Sequence, residues 1–133
     1  MPELPEVQTV VNHIRDDLIG EKINTITPVW PKVLHNFLPE DINKKLNDKI
    51  ITDVYRRAKF IILQFKHGII AIHLRMTGKL YILLDKPYPK HCSALINLAS
   101  GRKLIFEDVR KFGRFYLYDN VEPINSRHGP EPL

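Results

Sequence analysis

Between residues 4 and 18, apolar side chains fall at Leu4, Val7, Val10, Val11, Ile14 and Leu18. This is the three-and-four spacing of an amphipathic helix. Pro5 suits a first helical turn, where its missing N–H is not needed. Glu6 sits where the helix dipole favours negative charge, and Gly20 is a plausible stop. The pattern predicts a helix over residues 5–19 with its apolar face in the core. The period then shortens. Lys22–Val29 predicts a strand broken by Trp30-Pro31, and Pro39–Leu46 predicts a short second helix. From residue 49 onward, β-branched and aromatic residues predict strands at Ile50–Arg57, Lys59–Phe65, Ile69–Leu74, Lys79–Leu84, Ala94–Ala99, Lys103–Val109 and Arg114–Tyr118. His67-Gly68 and Ser100-Gly101 mark tight hairpins, so neighbouring strands should pair antiparallel. The expected fold is α+β: an antiparallel β-sandwich, or flattened barrel, flanked by an N-terminal helix and a second short helix. Residues 1–124 should form this domain. Asn125–Leu133, with two prolines and a glycine, reads as a linker leading out of it.

Composition narrows the class. A chain of 133 residues, 44% hydrophobic and 26% charged, suits one compact soluble domain. No apolar run approaches the ~20 residues that span a bilayer, and the N-terminus lacks the form of a signal peptide, so no membrane partner is expected. A lone Cys92 excludes an internal disulfide framework and a cysteine-rich zinc site, and points to a reducing cytoplasm. Net charge is +5, and its distribution matters more than its sum. Between Asp53 and Asp85 there is no acidic residue, while Arg56, Arg57, Lys59, Lys66, Arg75 and Lys79 all occur there with His67 and His73. A one-sign stretch across several strands predicts a positive face for a polyanion such as nucleic acid.

Four clusters could carry chemistry. The chain opens Met1-Pro2-Glu3-Leu4-Pro5-Glu6. Removal of Met1 would expose a secondary amine beside a carboxylate. An N-terminal amine titrates at about 7.7–8.0 against about 10.4 for lysine, so it is a nucleophile at neutral pH and can form an iminium with an aldehyde-like carbon. Arg56-Arg57-Ala58-Lys59-Phe60 joins two strands and offers a lysine to a phosphate or base. His73–Lys79 sets polar residues at the end of an apolar strand. In Asp108–Arg114 a phenylalanine lies among three cations, and such apolar side chains can wedge between base steps while arginines hold phosphates. Taken singly, each cluster has a plainer reading: Pro2 permits methionine removal, Lys59 is a strand-end lysine, His73 is structural, and Phe112 is core.

Together the clusters resemble the formamidopyrimidine-DNA glycosylases, bacterial base-excision repair enzymes. The resemblance rests on PELPEV at Pro2–Val7, RRAKF at Arg56–Phe60, HLRMTGKL at His73–Leu80, DVRKFGR at Asp108–Arg114 and HGPEPL at His128–Leu133. It implies excision of oxidised purines, 8-oxoguanine and formamidopyrimidines, from double-stranded DNA, with N-glycosylase and AP-lyase activities. Pro2 would be the Schiff-base nucleophile and Glu3 its acid/base partner. Lys59 would act close to the lesion, and Glu6 would orient the N-terminal segment. His73, His91 and Arg110 would contact the kinked backbone, and Met76, Arg110 and Phe112 would fill the gap left by the extruded base. Extrusion is required because the reacting carbon is unreachable inside the stack. The resemblance also implies a monomer in the bacterial cytoplasm, associated with the nucleoid, and no metal or cofactor in this stretch.

In this family a GPEPL segment normally leads into a helix–two-turn–helix module and a four-cysteine zinc finger, whereas the sequence here ends at Leu133. These residues alone are therefore expected to bind DNA weakly and in a salt-sensitive way, because phosphate contacts dominate affinity. A second reading is a non-catalytic DNA-binding or structural fragment of the same family.

Overall fold

The computed structural model describes residues 4–84 and 89–128. Helix α1, Leu4–Leu18, follows the apolar spacing, with Val7, Val11, Ile14 and Leu18 buried. Burying four aliphatic side chains contributes on the order of 6–12 kcal/mol. Gly20 ends the turn with φ +91°. The strands are β1 (Ile23–Thr27), β2 (Asp53–Arg57), β3 (Phe60–Phe65), β4 (Gly68–His73), β5 (Lys79–Leu83), β6 (Cys92–Leu98), β7 (Lys103–Glu107) and β8 (Arg114–Tyr118). Helix α2 spans Asp41–Leu46, and helix α3 spans Glu122–His128.

All strand pairs are antiparallel, in two four-stranded sheets ordered β1-β6-β7-β5 and β2-β3-β4-β8. Ile61, Leu63, Ile70, Ile72, Phe115 and Leu117 of the second sheet face Ala94, Ile96, Leu98, Leu104 and Phe106 of the first in one core. This is a sandwich, and not the flattened barrel given as the alternative form. Closure fails because other segments occupy both openings. Helix α1 packs against the edge strands β2 and β5. On the opposite side, Leu34 bridges Phe115, the His35 amide donates to the Phe115 carbonyl, and the Asn36 side chain bonds both the N–H and the C=O of Leu117. The exposed edge of β8 is thereby paired, which removes a site for unwanted strand addition.

Three further expectations change. Ile50 and Ile51 do not extend β2: Ile50 bridges Lys22, and the Ile51 amide donates to Glu21, so this pair serves the approach to β1. Residues 108 and 109 leave β7. The predicted linker is helical as far as His128. Asn120 accepts from the Glu122 amide at the start of α3, and Ile124 is buried. Ile124 packs with Phe60, Ile62, Ile69, Ala71 and Tyr116 on the outer face of the second sheet. That sheet is thus covered on both faces, and all six residues of β4 are buried rather than alternating.

Candidate nucleic-acid interface

The register of the second sheet gathers distant motifs at one end. Arg57 pairs with Phe60, Phe60 with His73, and His73 with Arg114. The β2–β3 turn carrying Lys59, the loop after β4 carrying Met76, and the loop before β8 carrying Arg110 and Phe112 therefore leave the same edge of the sandwich. Helix α1 is anchored at the other end of β2, where Arg15 bonds the Val54 carbonyl and the Asp53 carboxylate. Laid along β2, the helix directs its first turn, with exposed Glu6, toward the Lys59 end. Pro2 and Glu3 lie outside the described residues.

Met76 and Phe112 are about half exposed, at 50% and 48%. Together with His35, Arg75, Arg114 and Tyr116 they line a cavity of about 510 Å³. Exposed apolar side chains rimmed by cations suit a surface that meets an apolar, anionic partner. A larger cleft of about 860 Å³ lies between α2, the end of β8 and α3. Among the described residues no motif residue lines it, and its Lys45 is paired with Asp119 at 2.9 Å. The smaller cavity is the one that holds the motif chemistry.

His73 is buried, its ring 4.8 Å from Phe60 and edge-on to it, and its Nδ1 accepts from the Arg75 amide at 3.1 Å. Arg110 is exposed, and so is His91, whose carbonyl accepts from the Asp108 amide. Arg114 stacks over the Trp30 ring at 4.9 Å from its centroid, and the Lys111 ammonium stands 6.0 Å from it. Such cation–π contacts contribute about 0.5–2 kcal/mol each. Arg114 Nη1 also donates to the carbonyls of Lys111 and Gly113. At the start of the row, Arg57 keeps its Nε buried without an acceptor among the described residues.

A buried carboxylate ties the loops together. Asp108 is 1% exposed; it accepts from the Thr77 hydroxyl at 2.6 Å and from the Gly113 amide at 2.8 Å. Thr77 Oγ1 accepts in turn from the Arg110 amide at 3.3 Å. β7 ends at Glu107; the Asp108 amide still donates to the His91 carbonyl, while its carboxylate turns in to serve the loops. Beneath it lies Phe106, fully buried. A Cβ on Gly78 would stand 2.8 Å from the Phe106 ring, and one on Gly113 only 2.2 Å from it. Both loops can therefore sit on one aromatic ring only because each has a glycine at the contact.

Among the described residues, four non-glycine residues have positive φ: Asn47 (59°), Ala58 (52°), Arg75 (59°) and Lys111 (61°). Asn47, with ψ −63°, is the centre of a γ-turn in which the Asp48 amide donates to the Leu46 carbonyl. For the other three the left-handed conformation costs about 1–2 kcal/mol each.

A profile of the formamidopyrimidine-DNA glycosylase N-terminal domain matches residues 1–115. The chain belongs to this family. The formamidopyrimidine-DNA glycosylase of Herpetosiphon aurantiacus is 38% identical over 138 residues, covering 100% of this chain and 50% of the relative. That of Protochlamydia amoebophila is 40% identical over 136 residues, covering 100% and 49%. The chain spans about half the length of the curated relatives it matches. Among solved structures, the Lactococcus lactis enzyme non-covalently bound to DNA containing an AP site has TM-score 0.83 and 35% identity, covering 95% of this chain and 49% of that one. MutM in complex with DNA containing carbocyclic 8-oxo-G has TM-score 0.84 and 35% identity, covering 95% and 48%. Within this glycosylase fold, Asp108, Thr77 and Trp30 are the contributors that motif reading left without roles. Asp108 opens the DVRKFGR motif and carried one available signal: an acid beside a run of cations has to face inward or pair with them.

Proposed function

We propose that this chain is the catalytic, DNA-facing half of a base-excision glycosylase that removes oxidised purines and then cleaves the strand as an AP lyase. The observation that carries this reading is the convergence of the loops bearing Lys59, Met76, Arg110 and Phe112 at one sheet end, where Met76 and Phe112 line a cavity with Arg75 and Arg114. Met76 and Phe112 are the apolar wedge, and Arg110 reaches into the space left by the extruded nucleotide. Extrusion costs a few kcal/mol, and filling the gap offsets part of this.

The chemistry assigned to the N-terminus follows from its amine. With Met1 removed, the Pro2 nitrogen bonds to the anomeric carbon as the bond to the damaged base breaks, and the base leaves with a proton. Ring opening, with Glu3 protonating the sugar oxygen, gives an iminium that acidifies the neighbouring carbon. Loss of that proton expels the 3′ phosphate, and a second elimination expels the 5′ phosphate. Lys59, in the two-residue turn, is close to the lesion phosphate.

Borohydride trapping on DNA containing an abasic site tests this, using protein of known N-terminal mass. A covalent adduct is expected with Pro2 at the N-terminus and none where Met1 is retained. Binding without any adduct under either condition would leave the non-catalytic reading standing instead.

A further inference from the structure

The three strained residues are not scattered. Ala58 immediately precedes Lys59, Arg75 precedes Met76, and Lys111 precedes Phe112. Each is also fastened by a side chain from the end of a strand. Arg56 Nη1 donates to the Ala58 carbonyl at 3.0 Å, the His73 ring accepts from the Arg75 amide at 3.1 Å, and Arg114 Nη1 donates to the Lys111 carbonyl at 2.8 Å. A left-handed residue at the mouth of a loop reverses the chain, so that the next side chain leaves the surface rather than following the strand.

We propose that Ala58, Arg75 and Lys111 are positioning residues whose left-handed backbone presets the direction of Lys59, Met76 and Phe112 before DNA arrives, with Arg56, His73 and Arg114 as the fasteners. The inference rests on the glycosylase reading for what the aimed side chains do, but the preformed geometry is a property of the free protein. Strain persists at functional sites where the surroundings over-determine it, and here each strained residue is bonded by a strand-end side chain. Two of the three fasteners, Arg56 and Arg114, are cations that a motif reading would give to DNA alone.

Substitutions that tolerate or resist positive φ separate conformation from charge. At 75 and 111, Gly and Asn tolerate the left-handed region, whereas Val and Thr resist it, and all four remove the cation. The reporter is a duplex carrying 2-aminopurine beside an abasic site, whose fluorescence rises as the base unstacks. Arg75→Gly and Arg75→Asn should give larger responses than Arg75→Val and Arg75→Thr, and the same order should hold at Lys111. At position 58, Ala58→Val should cut the strand about tenfold to a hundredfold more slowly than Ala58→Gly in single turnover, with equal affinity for undamaged DNA. In the free protein, short intraresidue HN–Hα distances by NMR at 58, 75 and 111 should mark positive φ. Equal responses within each series, a ranking that follows only thermal stability, or ordinary HN–Hα distances would overturn the proposal. Wild-type protein that neither traps nor unstacks DNA would refute the glycosylase reading instead, and the NMR distances would then decide the geometric claim alone.

Discussion

The two ends of the sandwich use the same backbone conformation with different residues. At the end holding Gly20 and Gly101, positive φ falls to these two glycines, 91° and 97°, with open space where a β-carbon would stand, and to the γ-turn residue Asn47. At the end holding Lys59, Met76 and Phe112, it falls to alanine, arginine and lysine, while the glycines there, Gly78 and Gly113, are required for close packing on Phe106. The far end has turns that only need to close. The near end has turns that must also present side chains, and a hydrogen bond to each loop holds what a glycine would have left loose.

The largest expected effect on this contrast is at Asp108. Asp108→Ala leaves the Thr77 hydroxyl and the Gly113 amide without their buried acceptor and should lower stability by about 3 kcal/mol, read as a lower urea midpoint. Gly113→Ala should follow, at about 1–3 kcal/mol, because its new methyl meets the Phe106 ring. Pairing it with Phe106→Leu should restore part of the loss, and an absence of rescue would mean the ring is not the obstacle. Gly101→Ala meets nothing in space, so only backbone strain remains, a loss of about 1 kcal/mol in thermal unfolding. Ala58→Gly should move the other way, raising stability by up to about 1 kcal/mol. If Ala58→Gly and Gly101→Ala shifted the melting temperature in the same direction, the contrast between the ends would fail.

The smallest effect concerns acid sensitivity at the far end. Burial pushes the Glu21 carboxyl upward, but hydrogen bonds from Arg102 and Ser100 outweigh it and hold the carboxyl below its ordinary 4.5. A depressed carboxyl contributes stability above its unfolded value and loses it as pH falls through the folded one. Stability below about pH 4.5 should therefore fall less steeply in Glu21→Gln than in the wild type, as measured by urea unfolding across that range.

Much of this was legible in the residues themselves. The Val7–Leu18 stripe gave α1 to within a residue at each end, and the β-branched runs gave eight strands, because apolar period follows burial directly. Helix α3 escaped notice because a seven-residue segment with Pro123 inside and Ile124 as its one buried apolar anchor has no period to detect. The Ile50–Ile51 pair looked like β2 because apolar runs do not say which partner they will pair with. In the site, Lys59, Met76, Arg110 and Phe112 could be named from motifs, yet the devices that hold them could not. Left-handed φ at Ala58, Arg75 and Lys111 carries no glycine to announce it. The Asp108 carboxylate turns inward only because Thr77 and Gly113 arrive from two separate loops.

The Asn36 amide that seals β8 sets a chemical clock on the molecule. Its NH₂ donates to the Leu117 carbonyl while its oxygen accepts from the Leu117 amide. Hydrolysis to a carboxylate would replace the donor with an acceptor and set oxygen against oxygen. One slow, spontaneous ageing reaction would then open the β8 edge at Leu117 while the His35 amide still caps Phe115, so a preparation's tendency to associate with time should rise with the fraction of Asn36 converted.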